Sequence, residues 1–176
     1  RPRPPDRRLP PAPVYPGRSD AGRFDRRMWT FSRSSRLEAP AELVWDTVLH
    51  TDTFAYVAAP LLRFPAASLA DARWVPGLEL EDRLLLFGFI PLGRHRIRIA
   101  EVDMEAHRLR TEEGSRLLQR WVHEIEVEAI DERSCRYTDR LTIDAGALTG
   151  PVSLLAGLFF RYRHYRWRRL ARRLSS

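Results

Sequence analysis

The sequence predicts an α+β domain in which an antiparallel sheet of about seven strands packs against one long C-terminal helix. Three observations carry this prediction. Residues 117–130 and 135–143 alternate apolar and polar side chains, the period of strands with one buried face. Residues 151–174 keep apolar groups at helical spacing over several turns. Between a first strand and that helix lie two short helical segments and six further strand-like segments. A sheet with one apolar face and a single amphipathic helix bury those faces on each other.

The elements follow in order. Residues 1–27 hold seven of the 13 prolines and almost no large aliphatic side chains, so they are expected to form a disordered Pro/Arg-rich tail. The domain is expected to span 28–174. Met28 to Leu37 roughly alternates and predicts a strand. Pro40 suits the first position of a helix whose acids, Glu38 and Glu42, sit near its positive end. Leu43, Val44, Val48 and Leu49 form its stripe, with Trp45 flanking. A second short helix is predicted from Thr53 to Ala59, stopping before Pro60. Phe64 to Trp74 is a weak strand closed by Pro76-Gly77, Leu80 to Phe87 a stronger one, and Gly88 to Gly93 a loop. His95, Ile97 and Ile99 then alternate with Arg94, Arg96 and Arg98. Arg108 to Glu113 is short. In the long strand to Ile130, Trp121, His123, Ile125 and Val127 share one face. After a turn at 131–134, Tyr137, Asp139, Leu141 and Ile143 share another.

The last helix is predicted from Pro151 to Leu174, with Thr149 or Gly150 as its cap. Its broad apolar face comprises Leu154, Leu155, Leu158, Phe159, Tyr162, Tyr165 and Leu170. Phe160 and Trp167 fall off that stripe.

Composition narrows the classes. The chain has 176 residues, 44% hydrophobic and 30% charged, enough for one domain with a real core. Cys135 is the only cysteine, so no intrachain disulfide forms. No apolar run approaches the roughly 18 residues of a transmembrane helix. No signal-peptide core is present, and the expected location is cytoplasmic. The net charge of +7 divides into +5 over residues 1–27, −5 over 28–150 and +7 over 151–176. Two basic ends on an acidic body could meet phosphate or an anionic membrane. Solvated cations near a helix C-terminus give the simpler reading. Arginine supplies every basic residue and neither Lys nor Asn occurs, as in GC-rich coding, so the arginine count itself carries little functional weight. No Walker A, G-x-G-x-x-G, G-x-S-x-G, HExxH or Cys/His zinc spacing is present. No metal and no cofactor are expected.

Several local patterns, in their order, resemble the SRPBCC superfamily of START-like, helix-grip proteins. Leu37-Glu38-Ala39-Pro40-Ala41-Glu42-Leu43-Val44-Trp45 is similar to that family's strand ending, Ala-Pro turn and helix with a Val-Trp pair. Trp121-Val122-His123-Glu124 followed by Tyr137-Thr138-Asp139-Arg140-Leu141 resembles its Trp-x-His strand and the next strand bearing an Asp. Phe160-Arg161-Tyr162-Arg163-His164 is similar to the F-x-Y-R-H run in the final helix of some bacterial members. Ile90-Pro91-Leu92-Gly93-Arg94-His95 resembles their middle hairpin. The resemblance covers about residues 29–172. It implies a helix-grip fold, a curved sheet wrapped around the long helix with a hydrophobic cavity between them. It also implies a small-molecule ligand, in a family that includes lipid-transfer domains and polyketide cyclases/aromatases.

The expected function is therefore binding of a small hydrophobic or amphipathic ligand in that cavity. The residues expected to line it are Trp45, Phe87, His95, Trp121, His123, Tyr137, Asp139, Tyr162 and Arg163, with Arg163 a possible anion anchor. His123 and Asp139 are expected on neighbouring strands of the concave face, where a hydrogen bond between them would satisfy both buried groups. That bond could be structural. Alternatively, His123 oriented by Asp139 is the acid/base of a polyketide cyclase- or dehydratase-like enzyme. A third alternative is an interaction module using its basic ends on an anionic membrane or nucleic acid. Nucleic acid is not expected, for want of a motif. Peripheral membrane contact and the oligomeric state stay open.

Overall fold

The structure is a computed structural model that describes residues 28–65, 72–115 and 118–175. The expected tail, 1–27, and the middle of the weak strand expected at 64–74 lie outside the described residues. Strand β1 (Trp29–Leu37) leads into helices α1 (Ala41–Val48) and α2 (Thr51–Ala58). Six strands follow: β2 (Leu62–Arg63), β3 (Glu79–Leu86), β4 (Ile90–Asp103), β5 (Arg108–Ser115), β6 (Arg120–Asp131) and β7 (Ser134–Asp144). A short turn at Gly146–Leu148 opens into α3 (Thr149–Leu174). The strands form one antiparallel sheet in the order β1-β7-β6-β5-β4-β3-β2. Successive strands from β2 to β7 are sheet neighbours, as short connections favour, and β1 returns to pair along its whole length with β7. The α+β, helix-grip architecture expected from the sequence is the one present, with the sheet wrapped around α3.

Local chemistry explains where the elements bend. Phe87 and Gly88 both have positive φ, 54° and 83°, and Phe89 N–H donates to the Leu86 carbonyl, the pattern of a type I′ turn, within a three-residue connection that ends where Leu86 pairs with Ile90. The expected Gly88–Gly93 loop is thus mostly strand: Ile90 and Pro91 pair with Leu86 and Leu85, and Gly93 (φ 104°) pairs with Leu84 across a register shift. A second shift between Ile99 and Glu101 interrupts the β4–β5 ladder. Such bulges bend a strand and raise its twist, which suits a sheet that curves.

The helices correct several sequence expectations. In α1, Ala41, Val44, Trp45 and Val48 face the core, so Trp45 is central and Leu43 is exposed. Pro40 stands just before the helix rather than as its first residue. Thr149 does not cap α3; its hydroxyl accepts from Ala145 N–H and donates to the Gly146 carbonyl, tying up the preceding turn. The largest correction concerns which face of α3 is buried. Ser153, Ala156, Phe160, Arg163, His164, Trp167 and Ala171 point inward, while Leu154, Leu155, Leu158 and Tyr165 are exposed. The inward set also obeys helical spacing, but it contains an arginine and a histidine, and these are buried only because the sheet supplies their partner. Among the described residues no helix is long and apolar enough to cross a membrane.

Cys135 lies at the β1–β7 end of the core and is fully buried, its thiol pushed up to about 11 by burial, with the Glu38 charge adding to the effect. Alkylation at pH 8 should therefore track unfolding. Fast labelling of the native protein would contradict this burial.

Candidate functional site

Six elements send polar side chains into one buried cluster. In the β6–β7 ladder Ile125 opposes Asp139 and His123 opposes Leu141, so His123 and Asp139 stand diagonally on the same face. His123 Nε2 lies 2.7 Å from Asp139 Oδ1, and the Tyr137 hydroxyl donates to the same oxygen at 2.9 Å. The Tyr137 oxygen in turn accepts from Arg163 Nη2 at 3.0 Å. Arg163 and His164, consecutive on α3, approach the other carboxylate oxygen: Arg163 Nε at 3.5 Å and His164 Nε2 at 3.1 Å from Oδ2. Neither approach is well aligned for a hydrogen bond, so both act mainly through charge and dipole. On its far side, His164 Nδ1 meets Ser35 Oγ at 2.8 Å, and Arg168 donates to that hydroxyl at 3.2 Å. Ser35 Oγ thus links His164 to Arg168, and the Nε2 edge of the His164 ring is turned toward Asp139.

A second carboxylate extends the cluster. Glu113 of β5 accepts from Thr111 Oγ1 at 2.8 Å and meets His95 Nε2 of β4 at 2.7 Å; its Oε1 stands 4.0 Å from His123 Nδ1. His123 therefore lies between two carboxylates. Asp139, His164 and Tyr137 are wholly buried, and Arg163, His95 and His123 nearly so.

Electrostatics fix the charges. Burial alone would raise the Asp139 pKa. The Arg163 charge, the His123 hydrogen bond, the close approach of His164 and the His123 charge together outweigh it and hold Asp139 far below the usual carboxylate range. Glu113 is likewise held low against burial, by the His95 hydrogen bond and charge, His123 and Thr111. Tyr137 is pushed well above the normal phenol range, chiefly by burial, and stays a neutral donor.

The sheet and α3 enclose a cavity of about 20 Å³, room for about one water. Its polar wall is Thr53, Thr111, Glu113, His123 and Arg163. Phe54 and Trp74 belong to the apolar wall. Of the expected ligand residues, the structure brings His95, His123, Tyr137, Asp139 and Arg163 together, His123 and Arg163 at the cavity and the others bonded behind them. Trp45 packs on His107 in the core, and Tyr162 sends its hydroxyl to the Ala59 carbonyl. Trp121 packs in a separate cluster with Phe160. Phe87 stands 51% exposed on its hairpin turn. None of these four lines the cavity. The sequence reading missed Glu113 and Thr111. Their signal was the alternation Leu109-Thr111-Glu113, which continues the buried face of β5 with polar groups. Among the described residues no group of three His, Cys, Asp or Glu converges as metal ligands.

Residues 35–174 match a family described as Domain of unknown function (DUF8410). The chain belongs to the DUF8410 family. No curated protein matches the sequence. Solved structures show that the domain has the helix-grip fold seen in SRPBCC, START-like proteins. The Zhui aromatase/cyclase from Streptomyces sp. R1128 is 12% identical with a TM-score of 0.64, over 83% of this chain and 94% of that one. Norcoclaurine synthase from Thalictrum flavum, in complex with dopamine and hydroxybenzaldehyde, is 13% identical with a TM-score of 0.62, over 88% and 95%. A START superfamily protein from Mycobacterium smegmatis is 12% identical with a TM-score of 0.60, over 82% and 98%.

Proposed function

We propose that this domain binds a small amphipathic molecule between the sheet and α3, with the molecule's polar end on Arg163, His123 and Glu113. One observation carries the reading: a guanidinium, an imidazole and a carboxylate, each with its own buried support, face a common cavity. Charged groups in a protein interior are costly, and a purely mechanical core would be at least as stable with apolar residues of the same shape. A cavity walled by apolar side chains with a few fixed polar groups is the usual form of a small-molecule site. The norcoclaurine synthase of the same fold holds dopamine and hydroxybenzaldehyde, molecules with an apolar ring and polar substituents, which supports this ligand class. At 20 Å³ the cavity must widen to admit such a molecule, and partly exposed Phe54 is the lining aromatic best placed to swing aside.

Native mass spectrometry of the full chain, followed by solvent extraction, tests this directly. The expected result is an adduct lost on denaturation. A library of small aromatic and fatty acids, aldehydes and amines should also contain members that raise Tm. Ligand at about 100 times Kd contributes about 2.7 kcal/mol, roughly 5–10 °C for a domain this size. Glu113→Gln, which keeps the shape, should weaken binding. No adduct together with no shift across the library would overturn the proposal.

The His123–Asp139 pair supports a second reading, proton transfer on the bound molecule. The carboxylate orients the ring while the opposite edge faces the cavity. Under that reading His123→Gln abolishes turnover of the extracted ligand without abolishing its binding. Full turnover by the variant would remove it.

A further inference from the structure

The inverted face of α3 leaves an apolar surface on the outside of the molecule. Leu154, Leu155 and Leu158 are 68%, 65% and 58% exposed, within two turns of one helix. Beside them runs an open groove of about 490 Å³ between α3 and the edge strand β1. One bank carries the stacked rings of Trp29 and Phe31, with centroids 5.3 Å apart; the other carries Leu154 and Leu158. Gly150 and Gly157 keep it open, since a Cβ on either would project into empty space.

The groove is also cationic. Arg33 and Arg161 line it, and among the described residues neither has a carboxylate partner. The Arg33 Nε and the hydroxyl of Ser153, itself 95% buried, are enclosed polar atoms in the groove wall with no hydrogen-bond partner. Both point to a missing acceptor or donor. Farther along the exposed face of α3 stand Arg169 and Arg172, and neither α3 nor β1 contains an acidic residue.

Charge decides between occupants. A second copy of the chain placed on this face by a two-fold axis would bring arginines against arginines with no acid to separate them. A nucleic acid would meet the arginines but would leave three leucines facing water. An anionic phospholipid surface satisfies both halves, because leucines enter the acyl region while arginines take the phosphates. We infer that the outer face of α3, with the β1 groove, docks the domain on an anionic phospholipid bilayer: Leu154, Leu155 and Leu158 insert, and Arg33 and Arg161 hold headgroup phosphate.

The test is co-flotation of the full chain with phosphatidylcholine vesicles, with and without 30% phosphatidylglycerol. Binding should be at least tenfold stronger with phosphatidylglycerol. The triple change Leu154→Ser, Leu155→Ser, Leu158→Ser and the double change Arg33→Gln, Arg161→Gln should each weaken it tenfold or more. Circular dichroism and Tm should be close to those of the parent protein, since these side chains lie outside the core. Inorganic phosphate at millimolar concentration should not compete. Three results would overturn the inference. One is failure to bind either vesicle. Another is binding that the serine variant retains in full, which is the mark of charge alone and of equal affinity for single-stranded DNA. The third is a dimer that the serine variant converts to monomer.

Discussion

Asp139→Ala should lower the unfolding free energy by about 3–5 kcal/mol, the usual loss when one member of a buried ion cluster is removed. The size follows from what stays behind. Arg163 keeps its charge in an interior where it is 97% buried, and its hydrogen-bond partner is the Tyr137 hydroxyl, which itself loses its acceptor. His123 and His164 lose the oxygen that each ring nitrogen faces. In a chain of this length the change should lower Tm by roughly 6–20 °C, taking about 2–4 °C per kcal/mol. Urea denaturation of the two proteins at pH 7 measures it. A loss below about 1 kcal/mol would mean that the cluster relaxes or draws in water, and that its charges are not held as described.

The same carboxylates set the pH dependence, and the sign follows from linkage. Asp139 and Glu113 have folded-state pKa values below those of the unfolded chain. Each therefore contributes stability that is fully present above the unfolded values of about 4, and that is lost as pH falls through the folded ones. Urea midpoints should hold steady from pH 7 down to about 5 and then fall toward pH 2. Asp139→Asn starts lower but should fall less steeply, because its largest acid-linked contribution is already gone. Parallel slopes for the two proteins would show that Asp139 does not titrate as its surroundings require.

Much of the fold was legible because period-2 and helical patterns report burial, and burial decides which faces meet. The first strand, the later long strands, both short helices and the long one could be placed from spacing; the weak strand expected at 64–74 could not, since β2 is only Leu62–Arg63 and Arg73 makes a single bridge to His50. His123 and Asp139 could be paired because each was the polar member of an otherwise apolar strand face. Other features were hidden for identifiable reasons. Phe87 looked like a pocket aromatic because hydrophobicity alone cannot tell a strand residue from the first residue of a type I′ turn. Glu113 looked like an ordinary charge because its partner His95 stands on β4, beside it only through the sheet register. Trp45 and Tyr162 have the composition of lining residues, and the cavity ends before it reaches them. Sequence patterns locate faces well. They do not locate the space between faces.

The buried face of α3 shows this most sharply, and it yields the second large effect. Trp167→Ala should cost about 3–5 kcal/mol, whereas Leu155→Ala should change stability by less than about 0.5 kcal/mol. A reading by apolar content alone predicts the opposite ranking, since Leu155 belongs to the richer stripe and Trp167 lies outside it. The structure reverses it because the stripe of Ala156, Phe160, Arg163, His164, Trp167 and Ala171 has something the other lacks, a carboxylate opposite its polar members. Asp139 makes the burial of Arg163 and His164 tolerable. Once those two are inside, helical geometry carries Trp167 in with them, to 1% exposure and against the Tyr137 ring at 4.9 Å. The same rotation turns Leu154, Leu155 and Leu158 outward. Thermal denaturation of the two single variants decides it. If Leu155→Ala is the more damaging, α3 is rotated relative to this structure, and the Asp139 cluster and the outer apolar face both disappear with that rotation.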